Sequence, residues 1–483
     1  MTMVESLKRL ATGITGLDHL LKGGLVAGAS YVIQGHPGSG KTILANQLAC
    51  NHVRQQGRVV VATLLSESHE RLFQYLSTLE FFDQSMIGNQ IQFLSALATL
   101  EEDGLGEVVK ILRQEIARQQ ASLLIVDGLL NARSQADSLI DTKKFISELQ
   151  GHAAFAGCTV LLLTSSRLDE ASPEHTMVDG VIELSEQLFG SRAVRQIQLR
   201  KTRGSSALAG VHEFEIGQAG VQVYPRLESL YSLPSHPGID WVTRTTSGTG
   251  SLDQVIGGGL PKGAITLVMG PSGIGKTSLG LSFLAASCAA EPGLHFGFYE
   301  TPERLRLKAE ALGHDFKELE RKGVLHLCWQ PTTRGLLDQL GARLLDIVQA
   351  QGIKRVLLDS LGAFNRVTNN PARLNEFLCA LTGELRARGV TVMMTWEMRD
   401  IFGAEINAPA PELSSLVDNL MLMRFVEHDA RLRRMLSVLK VRDSDFNPEL
   451  HEFFISHKGI TLRQSFAGVS GVLSGTPVPS SED

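Results

Sequence analysis

The sequence is poor in cysteine, with five in 483 residues: Cys50, Cys158, Cys288, Cys328 and Cys379. The count is odd and no two form a CxxC pair, which excludes a disulfide framework and offers no zinc-ligand spacing. All five are expected as buried thiols in a reducing compartment. Long hydrophobic runs are also missing. "ASLLIV" and "CTVLLL" fall far short of the roughly 20 residues that cross a bilayer. They read instead as buried strands of a parallel sheet, so no membrane partner is expected. The opening "MTMVESLKRLATGITG" has no apolar h-region, so a secretory signal is not expected and the chain reads as cytoplasmic. Finally, there is no excess of positive charge. Lys and Arg number 46 against 51 Asp and Glu, a formal net charge of -5, and this argues against nucleic acid as a partner.

What is present is an ordinary globular composition, 43% hydrophobic and 20% charged. A chain of this length exceeds one compact core, so two domains are expected. The sequence repeats itself accordingly. "GITGLDHLLKGGLVAGASYVIQGHPGSGKT" begins at Gly13, and "SGTGSLDQVIGGGLPKGAITLVMGPSGIGKT" contains its counterpart from Gly248. Leu17-Asp18 matches Leu252-Asp253, Gly23-Gly24-Leu25 matches Gly258-Gly259-Leu260, and Gly28 matches Gly263, all at an offset of 235. A whole domain is duplicated in tandem. Each half then alternates strand and helix in the same order: "ASYVIQG", "TILANQLACNHV", "RVVVATLL", "SLLIVD" and "CTVLLLTS", against "AITLVMG", "TSLGLSFLAASCAA", "LHFGFYE", "RVLLD" and "VTVMMTW". Such alternation predicts an α/β fold, a mostly parallel sheet flanked by helices, built twice. Domains are expected over residues 1–224 and 241–464. A proline-rich linker at 225–240 separates them, and a tail covers 465–483.

Two stretches fit G-x-x-x-x-G-K-[ST]: Gly35-His36-Pro37-Gly38-Ser39-Gly40-Lys41-Thr42 and Gly270-Pro271-Ser272-Gly273-Ile274-Gly275-Lys276-Thr277. Glycines let the backbone curl so that its N–H groups face phosphate oxygens, and the following helix adds its positive end. The lysine then reaches the β- and γ-phosphates, and the threonine hydroxyl serves Mg2+. The second metal element should be an acid closing a buried strand, which nominates Asp127 and Asp359. A carboxylate that activates the attacking water is expected at Glu67 in "LLSESHERL" and Glu300 in "GFYETPERL". Late in each half stands a Lys-x-Arg, Lys201 with Arg203 and Lys440 with Arg442. Alternation along a strand puts both cations on one face. An incoming γ-phosphate from a neighbouring subunit would meet them there.

These features together resemble the KaiC family, the double-domain RecA/RadA-type ATPases. The duplicated P-loop, the "GLD…GGL" lead-in and the paired Lys-x-Arg carry the likeness, which runs from about Arg9 to Pro477. The resemblance implies two tandem RecA-like domains in a homohexamer of two stacked rings, with ATP and Mg2+ between subunits. It implies slow ATP hydrolysis in the first ring and serine autophosphorylation in the second, with regulatory protein partners, as in a signalling timer or switch. The stretch "ELSSLVDNLMLMRFVEHDARLRRMLSVLKVRDSDFNPELHEFFISHKGI" resembles the family's phosphorylated segment, which nominates Ser414 and Ser415 as phosphoacceptors. Arg366, in "DSLGAFNRVTNN", resembles an interface arginine, and "GVLSGTPVPSSED" the start of a partner-docking tail. One feature departs from the family. Two adjacent glutamates are usual where this chain has Ser66-Glu67 and Tyr299-Glu300. An ATPase scaffold that gates partner binding without self-phosphorylation therefore stays open as an alternative, and so does a RecA-like nucleic-acid-dependent ATPase.

Overall fold

In the computed structural model, the residues described are 7–66, 68–134, 139–165, 172–232, 242–331, 335–368, 370–398, 416–428, 431–442, 444–464, 469–470 and 478–479. The chain divides into two units, Met1–Leu230 and Tyr231–Asp483. The residues expected to open the linker belong to the first unit. Leu227–Leu230 is a short helix with Leu227 buried, and the Arg226 amide donates to His212 Nδ1 at 3.0 Å.

Each unit is built on one nine-stranded sheet. In the first, the order is Gly220–Tyr224, Val211–Gly217, Arg192–Thr202, Gly180–Phe189, Ser30–Gln34, Thr159–Thr164, Leu123–Asp127, Val59–Thr63, Ile91–Ser95. The six strands from Gly180–Phe189 onward are parallel, and the other three continue the sheet antiparallel. The second unit repeats this topology, running from Gly459–Gln464 through the central Ile265–Gly270 to Gly293–Gly297 and Leu325–Trp329. These are two tandem RecA-like α/β domains.

The central strands are apolar on both faces because helices cover both. Along Val59–Thr63, Val59 and Val61 join one core cluster while Val60 and Ala62 join another. Leu123 and Ile125 divide from Leu124 and Val126 in the same way. The continuous runs that set "SLLIVD" and "CTVLLL" apart in the sequence are the expected mark of such burial.

The repeated lead-in is a clasp on this core rather than a free arm. Leu10, Ile14 and Leu17 are buried. The Asp18 carboxylate accepts from the amides of Thr12 and Gly13 at 2.8 and 3.2 Å, and Asp253 accepts from the Ser247 amide at 2.7 Å. Arg9 donates to the carbonyls of Leu21 and Gly24, and Arg244 to those of Ile256 and Gly259. These bonds turn the shared "GLD…GGL" spacing into the same loop twice.

One anchor is particular to the second unit. Arg355, which is almost fully buried, donates to Glu291 Oε2 at 2.7 and 3.0 Å and to the Thr246 carbonyl at 2.8 Å. It also lies 5.1 Å from the Phe283 ring centre. The matching position in the first unit is Leu123, since Val59 pairs with Leu123 as Gly293 pairs with Arg355. Arg355→Met leaves Glu291 with Lys262 at 3.3 Å and the Thr245 hydroxyl, but it removes the charged bonds to Glu291 and to the Thr246 carbonyl and should cost about 3 kcal/mol. Thermal unfolding should show the second unit's transition lowered by about 10 °C, with the first unit's unchanged.

All five cysteines are free thiols, but burial holds for only some of them. Cys50 and Cys158 are buried, Cys328 is partly covered, and Cys288 and Cys379 are exposed. The expectation of five buried thiols is thereby corrected. Cys288 follows the helix Lys276–Ala285, and Cys379 sits on the solvent side of the helix Leu374–Ala387. Burial pushes the Cys158 thiol up to about 12.

Candidate nucleotide sites

Each Gly-rich loop joins the C-terminal end of the central strand to a helix, Lys41–Arg54 or Lys276–Ala285. The glycines before the lysines, Gly40 and Gly275, take φ of 99° and 117°, the left-handed region open to glycine. The loops also press on the neighbouring strand. A Cβ at Gly35 would stand 2.3 Å from the Leu184 carbonyl oxygen, and one at Gly270 would stand 2.6 Å from that of Met423. No other residue fits there without moving backbone.

The lysines are buried and held by their own loops. Lys41 Nζ donates to the carbonyls of Gly35 and His36 at 2.8 and 3.0 Å. Lys276 Nζ donates to those of Gly270 and Pro271 at 2.8 and 2.7 Å. Burial lowers both ammonium pKa values, and Asp127 beside Lys41, and Glu397 and Asp359 near Lys276, pull them back up. The threonines and strand-end acids meet in both units. Thr42 Oγ1 donates to Asp127 Oδ2 at 3.1 Å, and Thr277 Oγ1 to Asp359 Oδ2 at 2.8 Å. A hydroxyl and one carboxylate beside a phosphate loop are the hard oxygen donors that magnesium takes when phosphates supply the rest. Among the described residues there is no cluster of three or more His, Cys, Asp or Glu that could hold a metal ion without phosphate.

In the second unit the loop opens on a cleft of ≈ 470 Å3 lined by Thr277, His295, Tyr299, Glu300, Asp359 and Glu397, among others. Glu300 reaches it from the bend between the strand Gly293–Gly297 and the helix Pro302–Ala311, where the sequence predicts a strand end, and is ion-paired with Lys308 of that helix. Its second oxygen is buried without a partner among the described residues. Tyr299 lies under the Arg366 guanidinium at 5.4 Å from ring centre to Cζ. The candidate base of the first unit, Glu67, lies outside the described residues, as do Ser414 and Ser415.

Both Lys-x-Arg pairs face one way, but their counter-charges and acceptors come from the same chain. Lys201 Nζ donates to the carbonyls of His175 and Thr176 at 2.9 Å each, and Arg203 lies 3.9 Å from Asp179. Lys440 Nζ donates to the Val417 carbonyl at 2.9 Å, and Arg442 lies 3.3 Å from the buried Asp418. Burial and then the neighbouring arginine lower the pKa of both lysines. Alternation keeps the lysine and arginine of each pair on one side of the backbone, because the register shift falls before the lysine and not between the two. A bulge opposite Val181/Ile182, and another at Leu420/Met421, resets the register next to each lysine.

Sequence reading passed over three groups in the second cleft: Lys308, Glu397 and His295. Glu397 ends the strand Thr391–Glu397 as Asp359 ends its own. His295 interrupts an apolar strand, which was the available signal.

Fold and site together define a tandem P-loop protein of the NTPase class. The family model described as "ATPase: KaiC" matches residues 10–228 and again 245–465. The chain therefore belongs to the KaiC ATPase family, with the family's domain present twice. It is similar to the "Circadian clock oscillator protein KaiC" of Thermostichus vulcanus and to that of Thermosynechococcus vestitus. Each is 29% identical over 493 residues, covering 99% of this chain and 93% of the relative. The "Circadian clock oscillator protein KaiC 1" of Synechocystis is 27% identical, with 99% and 93% covered. Among the described residues no helix is long and apolar enough to cross a membrane.

Proposed function

We propose that this ATPase works as a ring of copies, six by likeness to its relatives, in which each nucleotide is closed by the Lys-x-Arg of the neighbouring chain. The observation that carries this reading is the sheet register. Arg203 bonds the start of the strand Gly180–Phe189 at Asp179, which in turn bonds Ser30. The P-loop leaves the same central strand at its other end, after Gln34. Five residues of strand, about 16 Å, separate the finger from its own loop. Arg442 stands in the same relation to Gly270 through Asp418 and Ile265. A cation so placed serves a neighbour's nucleotide rather than its own.

In this account Lys41 and Lys276 bind the β- and γ-phosphates of ATP. Thr42 with Asp127, and Thr277 with Asp359, would hold Mg2+, which would supply positive charge to the phosphate oxygens. Glu67 or Glu300 takes the proton of the attacking water. The water oxygen bonds to the γ-phosphorus, the bond to the β–γ bridging oxygen breaks, and ADP and inorganic phosphate leave. In the second unit a serine hydroxyl, Ser414 or Ser415 of a neighbouring copy, replaces water and keeps the phosphoryl group, its proton passing to Glu300. Arg366 acts at the same interface. A phosphate adds about -1.5 to -2 charge near a subunit boundary. That added charge suits a timer or switch read by a protein partner in the cytoplasm.

Incubation of the full chain with Mg2+ and γ-labelled ATP tests the transfer step. Label should stay on the denatured protein and disappear in the Ser414→Ala/Ser415→Ala variant, while free phosphate continues to form. Free phosphate without retained label would refute the autokinase and leave an ATPase scaffold that gates a partner. The Tyr299–Arg366 stack favours that second reading, because an aromatic ring and not a second carboxylate stands beside Glu300.

A further inference from the structure

The strand Gly293–Gly297 runs Gly-Leu-His-Phe-Gly and every residue in it is buried. Leu294 and Phe296 point into the core, as such a strand requires. His295 does not fit that pattern. It is 1% exposed, and neither Nδ1 nor Nε2 has a hydrogen-bond partner among the described residues. Buried imidazoles without partners are costly and uncommon, so the position calls for a reason.

The fold does not supply that reason. Val59 pairs with Ile91 and Leu123 as Gly293 pairs with Leu325 and Arg355, so the first unit's equivalent of His295 is Val61. The same strand position is therefore filled by a plain apolar side chain in the sister domain. Room for the ring has been made two residues later: a Cβ at Gly297 would stand 2.0 Å from His295 Cε1. Gly297 corresponds to Thr63, and each pairs with its strand-end acid, Asp359 or Asp127.

The first unit places an imidazole over that very position by another route. His69, at the start of the helix His69–Leu76, bonds Thr63 Oγ1 through Nε2 at 2.8 Å. The strand position that pairs with the acid thus meets a histidine in both units, from the helix in one and from the strand in the other. In the second unit the ring lines the cleft together with Glu300, and the negative charges of Asp359 and Glu300 act on it. Glu300 Oε2, on the same cleft, is the carboxylate oxygen that also lacks a partner.

We infer that His295 is a positioning residue for ATP hydrolysis in the second unit: its imidazole aims the Glu300 carboxylate at the attacking water. This rests on the reading of Glu300 as the base. Lys308 holds one oxygen of Glu300, and with ATP in the cleft the unpartnered imidazole of His295 takes up the other and fixes its direction toward the γ-phosphate.

The test uses the full chain carrying Glu67→Gln, in which the turnover removed by Glu300→Gln is the second unit's share. On that background His295→Leu should lower the second unit's kcat by about tenfold, with KM for ATP within about twofold. Its melting temperature should stay level or rise, because an unpartnered polar group gives way to an apolar one. His295→Gln, which keeps a donor and an acceptor, should recover part of the rate. An unchanged kcat in His295→Leu, with Glu300→Gln still damaging, overturns the inference and leaves the base in place. No effect of Glu300→Gln overturns both. A rate and a melting temperature that fall together in both histidine variants assign His295 a structural role and also overturn it.

Discussion

Lys41→Ala and Lys276→Ala should each remove one of two nucleotides bound per chain. The two ammonium groups are buried at the roots of their loops and are held by loop carbonyls rather than by carboxylates. Carbonyls orient the charge without neutralising it, so most of its field stays available to phosphate. Replacing the lysine deletes charge-assisted bonds to two phosphates, each worth about 1.5–3 kcal/mol, and affinity should drop by about 100-fold or more at that site. The sister site should be untouched, since each unit forms its own loop, strand-end acid and helix. Equilibrium titration with a fluorescent ATP analogue measures the stoichiometry. Two sites should fall to one in either variant and to none in the double variant. Two full-affinity sites in both single variants would contradict the assignment.

Arg203→Ala should separate binding from turnover. Arg203 is more than half exposed and touches the Thr176 carbonyl and Asp179 at the long distances of 3.3 and 3.9 Å. Pairs of this kind contribute little to stability, so the fold should survive. As a finger acting on a neighbour's γ-phosphate, the arginine stabilises charge that grows in the transition state, and its loss should slow the first unit by about 1000-fold. ATP affinity should change by only a few-fold. Arg442→Ala should do the same to the second unit. It should also cost some stability there, because Arg442 shares the buried Asp418 with Arg386. Single-turnover phosphate release against nucleotide binding distinguishes the two effects. A loss of binding equal to the loss of turnover would mean that these arginines hold ATP in place.

Much of this was legible in the sequence because the decisive signals are local. Lys41 and Thr42 follow a glycine loop, Asp127 ends an apolar run, and each recurs some 235 residues later. A loop, a strand end and a helix start need only a few neighbours to define them. Other features depend on distant chain and leave little trace. The partners of Arg203 and Lys201 at 175–179 become neighbours only once the strand Gly180–Phe189 has paired. The bulges beside Val181 and Leu420 reset which face the cations share, and no spacing announces them. His295 reads as a lapse in an apolar strand until Gly297 is seen making room for its ring. Tyr299 was read as a lost glutamate, and only the fold shows that it stacks on Arg366. The thiols of Cys288 and Cys379 are expected inside because cysteine usually is, yet one lies past the end of a helix and the other on a helix's solvent side.

Mixing two inactive proteins shows whether one chain's cations complete another chain's site. In a Glu300→Gln background that silences the second unit, Lys41→Ala chains keep Arg203 but lose their own first-unit loop. Arg203→Ala chains keep the loop and lose the finger. If the site is shared, random co-assembly should pair an intact loop with an intact finger at about a quarter of the interfaces, and about a quarter of the wild-type first-unit ATPase should return. Turnover no greater than the mean of the two parents would contradict the account and place each finger on its own nucleotide.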